Sequence, residues 1–149
     1  MNIAIIAHDG RKELMARFCT AYAAVLARHV LCGTGTTGAY LAAQTSLPVT
    51  QFMNGAQGGM EQIGARVTLG EIDLVLFFCD PDNESCKKDA AYLAECCARA
   101  NVPLAVNCAT AEALVLALDR GDLDWRDAMR ENHGLSDHVR AILGAFPKE

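Results

Sequence analysis

No run in the 149-residue chain approaches the roughly 20 consecutive apolar residues that a membrane-spanning helix requires. Positive charge is also in short supply: 13 Lys and Arg stand against 18 Asp and Glu, a formal net charge of −5. That balance argues against a nucleic-acid or acidic-membrane partner, either of which calls for a basic surface. A phosphate site needs only local positive charge and stays open. The seven cysteines are odd in number and form neither a C-x-x-C pair nor a Cys/His cluster with zinc spacing. No metal and no cofactor is therefore expected, and the cysteines read as small buried hydrophobes in a reducing compartment. The apolar start, residues 3–7, meets His8-Asp9-Gly10-Arg11-Lys12 too soon for a signal-peptide core, so a cytoplasmic location is expected. Internal repeats, linkers and low-complexity segments are lacking as well.

What remains is the composition of a globular protein, 52% hydrophobic and 21% charged, with a length that suits one domain over 1–149. Short β-like runs are expected at 2–7, 30–32, 49–52, 73–79 and 103–107. Helix-like periodicity lies between them, at 11–27, 38–45, 61–69, 88–100 and 110–118. From Asp122 onward the chain turns polar and is expected to be helical, with His133 and His138 on its surface. Strands interleaved with helices, and apolar on both faces, give an α/β fold: a single-domain, doubly wound, five-stranded parallel sheet with helices on both faces. Ligands of such sheets bind beyond the carboxyl ends of the strands, at the topological switch point. The segments expected there are 8–12, 33–38, 54–59, 80–89 and 107–110, where the reactive residue types concentrate.

Gly33-Thr34-Gly35-Thr36-Thr37-Gly38 has the spacing of a dinucleotide fingerprint, G-x-G-x-x-G. It follows the second strand rather than the first, and no acidic residue stands about 20 positions on to hold a ribose. An anion nest is the better account: three threonine hydroxyls and the N–H groups at a helix start, with glycines that admit close approach. In His8-Asp9-x-x-Lys12, after the first strand, Lys12 offers a full positive charge and His8 a hydrogen bond to a substrate oxygen.

These segments resemble the methylglyoxal synthase family. Its motifs are A-H-D-x-x-K, T-G-T-T-G, S-G-P-x-G-G-D-Q-Q-x-G-A, F-F-x-D-P and N-x-A-T-A. The chain carries Ala7-His8-Asp9-Gly10-Arg11-Lys12, Thr34-Gly35-Thr36-Thr37-Gly38 and Asn54-Gly55-Ala56-Gln57-Gly58-Gly59-Met60-Glu61-Gln62-Ile63-Gly64-Ala65. Phe77-Phe78-Cys79-Asp80-Pro81 and Asn107-Cys108-Ala109-Thr110-Ala111 complete the series in order, and the likeness spans roughly residues 2–120. It implies a flavodoxin-like layered fold and a carbon–oxygen lyase that converts dihydroxyacetone phosphate to methylglyoxal and phosphate. The implied phosphate site is Lys12, Thr34, Gly35, Thr36, Thr37, Asn54 and Gly55. His8 would contact the substrate, and Asp80 and Asp89 would line its carbonyl side. A homohexamer is implied too.

Two departures stand out. The family's catalytic Asp of G-G-D-Q-Q aligns with Met60, whose thioether cannot take a proton from carbon. Glu61 is the nearest carboxylate, but one helical step turns a side chain by about 100°. The family's P-H pair before its next Asp is also missing. With one residue deleted in this loop, Asp89 matches that Asp, and Cys86 or Lys87 takes the histidine's place. The leading expectation is a methylglyoxal synthase-type enzyme with Glu61 as a displaced base, its activity reduced by the loss at Met60. The second is a non-catalytic module that binds a phosphorylated metabolite on the same fold. The third, by resemblance to the cyclohydrolase domain of purine synthesis, is a different enzyme built on the same clamp.

Overall fold

In the computed structural model, residues 1–127 are described; the expected polar tail with His133 and His138 lies outside the described residues. Five strands form one all-parallel sheet: β1 (Asn2–Ala7), β2 (Val30–Gly33), β3 (Val49–Gln51), β4 (Leu74–Phe78) and β5 (Leu104–Ala105). The helices between them are α1 (Lys12–Ala21), the short α2 (Ala23–Leu26), α3 (Gly35–Thr45), α4 (Gly59–Thr68), α5 (Glu84–Ala100) and α6 (Cys108–Arg120). Two units are distinguished, Met1–Val115, which contains the whole sheet, and Leu116–Glu149. Among the described residues, no helix is long and apolar enough to cross a membrane.

The strand order is β3-β2-β1-β4-β5. This is the order of a doubly wound nucleotide-binding half, within the expected five-stranded parallel α/β class, and it differs from the 2-1-3-4-5 order of flavodoxin itself. The difference lies in the crossovers. The chain walks outward from β1 through β2 to β3, then returns across the sheet so that β4 pairs with the free side of β1. The switch point therefore falls between β1 and β4, whose ends are Ala7 and Phe78.

Alternation along the two central strands divides the core. Ala4 and Ile6 of β1 and Val75 and Phe77 of β4 pack with Ile63 and Val67 of α4 and Leu93 and Cys97 of α5. On the other face Phe78 meets Phe18 of α1 edge to face, ring centroids 5.6 Å apart. Residues Leu74 to Phe78 of β4 are all buried, as a central parallel strand requires. Asp73 immediately precedes β4 and is itself buried; its carboxylate accepts the Asn2 N–H at 2.8 Å and ties the starts of the two central strands together.

Helix starts depart from the sequence pattern in a way that shapes the site. α3 begins at Gly35 rather than Gly38, so most of the Gly/Thr segment is the first turn of a helix and not a loop. α5 begins at Glu84 rather than Lys88, because the Asn83 side chain accepts the Cys86 N–H at 2.9 Å and caps the extra turn. The long first helix breaks at Tyr22. All seven cysteines are free; Cys19, Cys32, Cys86 and Cys97 are buried, whereas Cys79, Cys96 and Cys108 are half-buried.

Candidate active site

At the carboxyl end of β1 the His8 N–H donates to the Phe78 carbonyl at 3.2 Å, extending the β1–β4 pairing into the switch point. His8 caps a 3-10 turn over Asp9–Arg11, its Nδ1 accepting the Gly10 N–H at 3.3 Å. Asp80 Oδ2 lies 3.8 Å from the same nitrogen. With Nδ1 accepting from Gly10, the proton of a neutral ring sits on Nε2. Lys12 pairs with Asp9 at 2.7 Å, and this contact holds the Asp9 carboxyl below its usual range.

The first turn of α3 divides its threonines between two tasks. Thr37 is buried, and its hydroxyl accepts the Ala7 N–H and donates to the Ala7 carbonyl, both at 3.3 Å. Thr34 donates to Thr37 at 3.3 Å. These bonds fasten the helix start to the end of β1. Thr36 is exposed, and the N–H groups of Thr36 and Thr37 precede the first turn's acceptors, so the helix offers them no carbonyl. The Gly35 N–H is already spent on the Met53 carbonyl at 3.1 Å. A Cβ on Gly35 would lie 2.9 Å from the Phe52 backbone carbonyl oxygen as well as 2.6 Å from Asn54 Oδ1, so glycine lets the 52–54 segment lie against this turn.

The next turn aims α4. Gly58 holds φ +103°, a left-handed conformation that favours glycine. A Cβ on Gly59 would collide with the Met53 carbonyl. Gln62 accepts the Met53 N–H at 2.8 Å and holds the loop from the far side. The helix that leaves this turn buries Met60, which is 3% exposed, and leaves Glu61 exposed.

These pieces surround a cavity of about 480 Å³ at the switch point. His8, Thr34, Thr36, Asn54, Gly55 and Asp89 line it, six of the residues singled out from sequence. Met60 lines it as well, with Asp9, Asn83, Ser85 and Cys86. Lys12, Gly35, Thr37, Asp80 and Glu61 are not part of the lining. Lys12 stands behind Asp9, Thr37 is spent on β1, and Asp80 stands behind His8. Of the pair Cys86 and Lys87, it is Cys86 that faces this cavity. The Asp89 carboxyl is pushed above its usual range, first by burial and then by the charge of Glu61. Asn83, Cys86 and Asp89 recur at three-residue spacing, one face of a helix, and Asn83 is a residue type that favours a helix cap. That pattern was the available signal for the first turn of α5. Among the described residues, no group of three or more His, Cys, Asp or Glu could hold a metal ion.

Residues 15–106 match the family model described as MGS-like domain. The methylglyoxal synthase of Caldicellulosiruptor saccharolyticus is 48% identical over 128 residues, 85% of this chain and 91% of that protein. That of Alkaliphilus metalliredigens is 45% identical over 132 residues, 88% of this chain and 98% of its own length. The chain belongs to the methylglyoxal synthase family. A crystal structure of methylglyoxal synthase from Elizabethkingia anophelis superposes with a TM-score of 0.70 at 26% identity, covering 99% of this chain and 93% of that one. Within the family's fold, the switch-point cavity gathers a histidine, the start of α3 and the carboxylates of Asp9 and Asp89.

Proposed function

We propose that the switch-point cavity takes dihydroxyacetone phosphate and that the chain is a methylglyoxal synthase whose proton transfer has moved to Asp89. The observation that carries this reading is the joint lining of one cavity by His8, Thr36, Asn54, Gly55 and Asp89. The protein acts in the cytoplasm as a homohexamer, as the family resemblance implies.

The phosphate sits at the start of α3, on the Thr36 hydroxyl and the N–H groups that the helix leaves unbonded, with Asn54 and Gly55 opposite. Lys12 leaves or shares Asp9 to supply the full charge that a dianion needs. His8 donates from Nε2 to the ketone oxygen, with the Asp80 carboxylate 3.8 Å from its Nδ1. Asp89 removes a proton from the hydroxymethyl carbon, giving an enediolate. The hydroxyl on that carbon then gives its proton to the departing phosphate and becomes an aldehyde carbonyl, while the C=C bond shifts to the neighbouring carbon pair and the C–O bond to phosphate breaks. Phosphate leaves, and the enol tautomerises to methylglyoxal. A pKa raised by burial and by Glu61 makes Asp89 a stronger base than a solvated carboxylate. Glu61, outside the lining, acts through Asp89.

Met60 favours a second reading. It occupies the position of the family's catalytic Asp and presents a buried thioether to the cavity. The chain would then bind the phosphorylated metabolite without turning it over, as a regulatory module. Release of methylglyoxal and phosphate from dihydroxyacetone phosphate separates the two. Turnover that is lost in Asp89→Asn and kept in Glu61→Gln supports the enzyme. Saturable binding without turnover supports the module.

A further inference from the structure

The sulfur atoms of Cys79 and Cys86 lie 3.1 Å apart, the Cys86 thiol donating to Cys79. Both are free. They bracket the stretch that runs from the end of β4 into the first turn of α5, which carries Asp80, Asn83 and Ser85. They also face different cavities. Cys86 is buried in the wall of the switch-point cavity, where its sulfur accepts the Asp80 N–H at 3.2 Å. Cys79 is half-buried and lines a neighbouring cavity of about 580 Å³, together with Arg11 and Lys87. A disulfide needs sulfurs about 2.05 Å apart, so closure asks for a movement of about 1 Å.

We infer that Cys79 and Cys86 form a reversible disulfide when the protein meets a peroxide, and that this bond impairs the switch-point cavity. Cys79 is reached through its own cavity and attacks one peroxide oxygen as the thiolate. The O–O bond breaks, hydroxide leaves, and Cys79 becomes a sulfenic acid; Arg11 and Lys87 line the space in which the leaving charge develops. The Cys86 sulfur then displaces the sulfenic hydroxyl, its own proton leaving with that hydroxyl as water. Per disulfide, two thiols are oxidised and one hydrogen peroxide is reduced to two waters. Burial pushes the Cys86 thiol up to about 12, with the Cys79 contact adding to the rise, which disfavours Cys86 as the first nucleophile. The bond draws the Cys86 sulfur away from the Asp80 N–H and strains the first turn of α5, on which Asp89 follows one turn later. The consequence for turnover rests on the function proposed above; formation of the disulfide does not.

Trypsin releases both residues in one peptide, 67–87, which contains no other cysteine. Hydrogen peroxide applied to the full chain, followed by alkylation and digestion, is expected to give this peptide lighter by two hydrogens, unalkylated, and restored by dithiothreitol. In Cys86→Ala, a cyclic dione is expected to trap sulfenic acid on Cys79. A peptide 67–87 that stays fully alkylatable while Cys96 or Cys108 oxidises overturns the inference. Turnover of the oxidised protein is expected to fall several-fold, to recover with dithiothreitol, and to be insensitive to peroxide in Cys79→Ser. Unchanged turnover in a sample whose disulfide is verified overturns the link to the cavity. A reduced protein without any turnover would instead refute the proposed activity, and the mass of the peptide would still decide the disulfide.

Discussion

Glu61 on α4 lies close enough to Asp89 on α5 for its charge to push the Asp89 carboxyl above the ordinary range. Of these two, Asp89 lines the cavity and Glu61 does not. In the mechanism proposed above, Asp89 does the chemistry and Glu61 sets its basicity. Glu61→Gln removes a negative neighbour, so the Asp89 pKa falls. Because the base must be ionised, the acid limb of the kcat/KM profile for dihydroxyacetone phosphate should move to lower pH. An unmoved limb would detach Glu61 from the reaction.

Asp89→Asn should lower kcat on the order of 10²–10⁴-fold, the usual loss when a general base is removed. The same substitution should stabilise the fold at neutral pH. A carboxyl whose folded pKa is raised opposes folding once pH exceeds its unfolded value near 3.8, and increasingly so up to the folded value. Thermal melts of the two proteins should differ most at neutral pH, with the variant higher, and converge as pH falls to the unfolded value. Equal melting temperatures at neutral pH would show that Asp89 carries no burial penalty.

Met60→Asp places a carboxylate on the side chain that already lines the cavity. If the loss at this position limits the rate, turnover should rise on the order of 10²-fold. The gain comes with a weaker fold, because Met60 belongs to the core formed with Ile63 and Phe77. Chemical denaturation should register a loss on the order of 2–4 kcal/mol.

Thr36 and Thr37 are neighbours with opposite duties. Thr37→Val strands the Ala7 backbone groups and should cost about 1–3 kcal/mol of unfolding free energy. Thr36→Val should leave denaturation unchanged and raise KM for the phosphate ester. The reverse pattern would reassign the two hydroxyls.

Much of this was legible in the sequence. The run from Leu74 to Phe78 is apolar throughout because both faces of a central parallel strand are covered, and composition alone reveals that. The residue types that gather at the strand ends, His8, Thr34, Asn54 and Asp89, were legible for the same reason: the doubly wound layout sends every strand end to one edge. Strand order was not, since parallel pairing leaves no local mark of which strand lies beside β1. The helix starts at Gly35 and Glu84 were missed because glycine, threonine and proline nearby speak for a loop. Tertiary bonds override that tendency: Gly35 to Met53 in one case, and the cap on Cys86 in the other. The orientation of Glu61 depends on the turn at Gly58–Gly59, whose left-handed and crowded geometry no periodicity encodes.

The strand order has a consequence for the chain as it is made. β1 leaves the ribosome before the other strands and becomes the middle of the sheet, yet its second partner, β4, begins only at Leu74. Until then the nascent protein carries an apolar strand with one unpaired edge, a template for joining another chain. A stalled or truncated product that ends before Leu74 would keep that edge open, and aggregation, not loss of catalysis, would be its first defect.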